Sequence, residues 1–228
     1  MDQQFFKVVV AGAEHFDFAP LICEEMAASA KARGTGIARR SPAYLQEKMA
    51  EGKAVIAFSA RGEWAGFCYI ETWSHGQYVA NSGLIVAPAF RKGGLAKQIK
   101  RKIFDLSRSK YPEAKIFGLT TGLAVMKINS ELGYEPVTYS ELTDDEAFWA
   151  GCKSCINYDI LMSKERKNCL CTAMLFNPEE QLHSMAAAPA NRQPMVVADP
   201  SERLLTQVFA LIRNWKAARA QQKTLVAA

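Results

Sequence analysis

Residues 86–99 read VAPAFRKGGLAKQI. An apolar run, Leu84-Ile85-Val86, ends here, two basic residues and two adjacent glycines come next, and a helical pattern starts at once. Glycines at such a junction let backbone N–H groups approach a ligand closely. The first turn of a helix adds unpaired N–H donors and a partial positive charge. Together they suit an anion, most often a phosphate. The stretch is not a Walker loop, because no glycine precedes Gly93 at the required distance with Lys-Ser or Lys-Thr behind it. It is not a dinucleotide fingerprint either, since G-x-G-x-x-G is absent and no β-α-β unit leads into it.

Working outward, three strands precede the loop: AVIAFSA from Ala54, WAGFCYIETW from Trp64 and YVANSGLIV from Tyr78, joined by short turns as a meander. Upstream lie a first strand, FFKVVVAG from Phe5, and a helix over 17–34 stopped by Gly34. A second helix has Ser41 as N-cap and Pro42 at its first position. Downstream, LAKQIKRKIFDLSRSK places Leu95, Ile99, Ile103 and Leu106 on one stripe. A strand, AKIFGLTT, and a short helix ending at Gly133 come after it. YEPVTY (134–139) and INYDILM (156–162) read as two closing strands.

The chain has 228 residues and a net charge of +5 without a polybasic block. That balance argues against nucleic acid and is compatible with an anionic small molecule. No leader is visible at MDQQFFKVVV and no apolar run reaches membrane length, so a cytoplasmic, membrane-free protein is expected. The six cysteines are then expected as reduced thiols or metal ligands.

The loop and its surroundings resemble the GNAT acyltransferase superfamily. Arg91, Gly94 and Ala96 occupy the [RQ]-x-x-G-x-[GA] signature, and Val86-x-Pro88-x-Phe90-Arg91 matches its lead-in. The order of elements agrees independently. The resemblance implies an α/β (α+β) domain over 1–177, with a mixed, mostly antiparallel sheet flanked by helices. It implies an acyl-CoA as co-substrate, with the N–H groups of Lys92, Gly93, Gly94, Leu95 and Ala96 on the CoA diphosphate. A bulge near Ile85 and Val86 would turn N–H groups toward the thioester carbonyl, where oriented donors stabilise an oxyanion.

Two shorter stretches, LTTGLAVMKINSELGYEPV and ARGTGIARRSPAYLQEKM, are similar to the transferase domain of N-acetylglutamate synthases. That likeness implies transfer of an acetyl or succinyl group to the α-amine of glutamate or a related amino acid, as in arginine synthesis. Arg39 and Arg40 are then the candidate carboxylate binders, since a guanidinium offers a rigid two-pronged donor set. Surface solvation is the competing reading.

An amino-acid amine is mostly protonated at neutral pH, so a base is needed. Glu71, at the end of an apolar strand, is the candidate. The strand before the loop lacks the acidic residue common in the superfamily, and Asn129 stands where many members carry a tyrosine acid. Asn129 is expected to hydrogen-bond the CoA arm or sulfur, and the proton donor stays unassigned. These departures keep a second class open: an acyl-CoA-binding sensing or interaction module with little transfer.

Cys152, Cys155, Cys169 and Cys171 form a C-x-x-C and C-x-C set. Buried free thiols are preferred over a structural zinc site. Beyond Pro178 an Ala/Pro-rich linker (178–198) leads to a capped amphipathic helix (199–228). Packing on its own domain is the first reading of that helix; a homodimer contact or a docking role are the others.

Overall fold

The computed structural model describes residues 5–34 and 39–181. The expected linker beyond 181 and the helix at 199–228 lie outside the described residues, while 178–181 are helical. The elements are β1 (Phe6–Val10), α1 (Ala19–Arg33), α2 (Pro42–Ala50), β2 (Ala54–Ser59), β3 (Trp64–Trp73), β4 (Tyr78–Val86), α3 (Leu95–Lys110), β5 (Lys115–Thr120), α4 (Leu123–Glu131), β6 (Glu135–Val137), α5 (Glu146–Ala150), α6 (Tyr158–Ser163) and β7 (Thr172–Phe176). Seven strands form one sheet in the order β1-β2-β3-β4-β5-β7-β6. Among the described residues only β4 and β5 run parallel. This is the mixed, mostly antiparallel sheet that the sequence predicts.

Local signals act as read. Ser41 Oγ accepts from Tyr44 N at 3.2 Å and starts α2. Gly34 stops α1 at φ +60°, where a side chain would be strained. Strand alternation splits the core in two. Val55, Ala57, Cys68, Ile70 and Val79 face α3, with Leu95, Ile99 and Ile103 packed on them. Ile56, Phe67, Tyr69 and Ile85 face α1 and α2, against Ile22, Met26, Leu45 and Met49.

One expectation is corrected. Residues 156–162 are not a closing strand: 158–163 form α6, and the strand partner of β5 and β6 is β7. Ile156 and Met162, which gave the segment its apolar alternation, are exposed and have no sheet to pack on. The β4 irregularity lies at Gly83 and Leu84, immediately before Ile85 and Val86. Phe67 faces Ile85 and Tyr69 faces Ser82, so Cys68 stands opposite both Gly83 and Leu84. Gly83 takes φ +65°, and a Cβ there would lie 2.3 Å from Tyr69 Cε1. Only glycine fits this bulge.

Among the described residues no helix is long and apolar enough to cross a membrane.

Candidate active site

The site begins where β4 leaves β5. Their parallel pairing runs from Tyr78–Lys115 to Ala80–Phe117 and stops. From Asn81 to Val86, β4 pairs with β3 alone. Its other edge therefore offers main-chain polar groups to a ligand lying in the wedge. The edge leads directly to the glycine loop.

In the loop Lys92 takes φ +67° and Gly94 φ +78°, which swings the chain into α3. The N–H groups of Lys92, Gly93, Gly94, Leu95 and Ala96 donate to no acceptor among the described residues. No acidic side chain occupies the first turn of α3, so its positive end is uncompensated. Five successive unpaired donors where the loop enters α3 are the kind of arrangement that suits an anion. Arg91 serves the loop differently. Its Nε donates to Val86 O at 2.9 Å, and its Nη2 to Glu25 Oε1 at 2.8 Å and Ser29 Oγ at 2.7 Å. The guanidinium ties the loop to β4 and α1.

On the α1/α2 face, Glu71 sits in register with Ala80, the last residue of β4 paired to β5. It is buried, and its Oε1 accepts from Tyr44 Oη at 2.6 Å and Arg40 Nη2 at 3.0 Å. Oε2 bonds to nothing among the described residues. Arg40 Nε also donates to Tyr69 Oη at 2.9 Å, and Nη1 to Arg39 O at 3.3 Å. Burial, then the hydrogen bond to Glu71, raises the Tyr44 hydroxyl well above its ordinary value. Tyr69 is raised by burial first and by the Glu71 charge second. Both phenols therefore stay protonated as donors. Thus Arg40 and Glu71, assigned separate tasks from sequence, form one ion pair, while Arg39 is exposed. Tyr44 and Tyr69 were missed. Tyr69 and Glu71 lie two apart on one strand face, and a helix-borne tyrosine opposite them carries no sequence signal.

On the α3 face, Asn129 is buried, alone among the residues of α4. Its Nδ2 lies 3.7 Å from Met174 Sδ, and its Oδ1 has no partner among the described residues. Val125 and Ile128, expected to carry the inward face of α4, are half-buried. Tyr134 Oη donates to Asn81 Oδ1 at 3.1 Å, and Asn81 Nδ2 to Ser107 Oγ at 2.8 Å.

Cys152 and Cys169 pack beside the cluster formed by Tyr139, Leu142 and Trp149, and Tyr139 Oη donates to Cys171 O at 2.8 Å. Asn157 N donates to Cys155 Sγ at 3.4 Å, and Cys169 Sγ donates to Asn157 O at 3.7 Å. Burial pushes the Cys152 thiol up to about 11 and Cys171 to about 12. Among the described residues, no three His, Cys, Asp or Glu side chains are placed to hold a metal ion.

No family model matches the chain, and no curated protein does. Solved structures do. N-acetylglutamate synthase from Neisseria gonorrhoeae, complexed with coenzyme A and N-acetyl-glutamate, is 18% identical over 76% of this chain with a TM-score of 0.54. The chain spans 35% of that protein's length. A Mycobacterium tuberculosis protein complexed with CoA and NLQ is 17% identical, with 75% of this chain and 98% of that one covered and a TM-score of 0.54. A putative acetyltransferase from Salmonella typhimurium with acetyl-CoA is 12% identical, with coverages of 76% and 94% and a TM-score of 0.53. At these identities the likeness gives the fold: the chain has the fold of the GNAT acetyltransferases.

Proposed function

We propose that the chain is an acyl-CoA-dependent N-acyltransferase that moves an acetyl or succinyl group to the α-amine of glutamate or a related amino acid, an arginine-synthesis-like step. One observation carries the reading: five unpaired loop N–H groups continue straight into the free edge of β4. A diphosphate on Lys92–Ala96 and an amide-bearing arm along Asn81–Val86 would satisfy both sets of donors and acceptors. That path brings an acyl thioester to the vertex of the wedge at Ala80. Solved proteins of the same fold with CoA or acetyl-CoA bound support it.

The acceptor enters from the α1/α2 face. Glu71 Oε2 takes a proton from its ammonium, which frees the nitrogen lone pair for attack on the thioester carbonyl. Arg40 and Tyr44 hold the carboxylate at that spot. Arg39, exposed beside them, carries the acceptor-carboxylate role, and Arg40 becomes a positioning residue for the base. On this path Ile85 and Val86, past the bulge, lie at the loop end and serve the amide-bearing arm, while a free β4 N–H nearer the vertex stabilises the oxyanion.

The test is thiol release from acetyl-CoA and succinyl-CoA with a panel of amino acids, polyamines and a peptide. Turnover highest with glutamate or a close relative is expected. Turnover with polyamines alone would remove the amino-acid acceptor. CoA binding without turnover on any amine would leave a sensing module.

A further inference from the structure

Lys100 lies on the inner side of α3, 2% exposed, and among the described residues it makes no hydrogen bond or ion pair. Its Nζ lies 5.2 Å from the centre of the Tyr134 ring. A buried lysine without a carboxylate is costly, and such groups are kept for a reason. The groups packed around it are few. Cys68 faces it from β3 and donates to Ser82 O at 3.3 Å. Tyr134, from the segment after α4, reaches Asn81 on β4. At the rim, Lys97 pairs with Glu131 at 2.6 Å and bridges α3 to α4. Among the described residues no carboxylate acts on Lys100. Asn129, whose buried Oδ1 has no partner among the described residues, touches Met174 on the same side of the sheet.

The placement is what gives this meaning. Asn81 is the first β4 residue beyond the pairing with β5, so Lys100 stands behind the vertex on the α3 face. Glu71 stands at the same level on the opposite face. A thioester carbonyl attacked from the Glu71 side expels its sulfur toward the other side. We propose that Lys100 meets the departing CoA sulfur, holding the thiolate by charge and supplying its proton. This rests on the acyltransferase reading and assigns the acid that Asn129 cannot provide.

The step balances. The acceptor nitrogen forms the C–N bond, the C–S bond breaks, and sulfur leaves with the bonding pair and takes a proton from the Lys100 ammonium. The nitrogen gives two protons in turn to Glu71, one from the ammonium before attack and one as the amide forms. Glu71 passes both to solvent, Lys100 regains one from solvent, and one proton is released overall. Nothing is oxidised or reduced. Burial lowers the pKa of Lys100, which brings the donor closer to a thiol and makes transfer easier.

The experiment titrates the thiol of CoA bound to the full chain, by thiolate absorbance against the complex with desulfo-CoA. Wild type is expected to ionise bound CoA about one to three pH units below free CoA. In Lys100→Met the bound thiol returns to the free value or above. This variant removes an unpaired buried charge and leaves an unbranched side chain only one heavy atom shorter, so it is expected to fold, which a thermal melt checks. Its kcat with acyl-CoA falls about 100-fold with little change in KM, and the alkaline limb of the kcat profile disappears. A bound thiol that titrates like free CoA in wild type, or identically in both proteins, overturns the role of Lys100. Failure of wild type to bind CoA at all overturns the acyltransferase reading, and this inference with it.

Discussion

Gly94→Glu tests the anion cradle with a magnitude the structure supplies. Gly94 holds φ +78°, and no heavy atom lies within 4 Å of where its Cβ would stand. The cost to the fold is therefore backbone strain without a clash, about 1–2 kcal/mol. The cost to binding is larger. A carboxylate about 5 Å from a phosphate charge, at an effective dielectric near 20, is repelled by about 3 kcal/mol. That alone weakens CoA by about a hundredfold or more. Gly94→Ala separates the two effects, because it carries the strain without the charge. Calorimetric titration with CoA, beside thermal melts, reads both. Both variants are expected to melt slightly lower, with affinity within a few-fold in Gly94→Ala and lost in Gly94→Glu. Unchanged affinity in Gly94→Glu, with a folded protein, would refute the placement of the diphosphate on this loop.

Gly83→Ala is expected to destabilise by about 2–5 kcal/mol in urea unfolding, from the positive φ together with the 2.3 Å approach to Tyr69; a loss under about 0.5 kcal/mol would mean the bulge relaxes freely. Arg40→Met leaves Glu71 buried beside Tyr44 and should cost about 3–5 kcal/mol, whereas Tyr44→Phe should cost about 1–3 kcal/mol. Both should lower kcat if Glu71 is the base, and equal activity with unchanged stability would remove it. Cys68 gives a pH dependence: burial raises its thiol from 9.0 to about 11. The unfolded chain sheds this proton first, so the contribution is complete below pH 9, declines as pH rises toward 11, and is absent above. Chemical unfolding between those values should show the decline, and a flat profile would contradict it.

Much of the fold is readable in the chain. Turn residues space the three meander strands, Ser41 and Gly34 mark helix ends, and the paired glycines mark the passage from the third meander strand into α3. The closing strand was not legible, because Ile156, Tyr158 and Ile160 alternate like a strand although Asn157 opens a helix there. The true strand, Thr172–Phe176, comes directly after the C-x-C pair, whose thiols point toward metal chemistry. At the site, the loop's shape was legible because paired glycines ahead of a helical pattern report a main-chain turn into α3. Glu71 was found as a strand-end carboxylate, but its ion pair joins residues 31 apart. Lys100 did leave a signal: it shares the i, i+4 row of Ala96 and Phe104, and Phe104 is buried. A lysine on that row passes for the solvent side when only Leu95, Ile99 and Ile103 are counted.

The central claim is tested most directly by a crystal structure of the chain with CoA. Diphosphate oxygens within hydrogen-bond distance of the N–H groups of Lys92–Ala96, with the arm along Asn81–Val86 and the sulfur at the end of the wedge, are expected. A diphosphate bound elsewhere, with those five N–H groups facing only water, would contradict it.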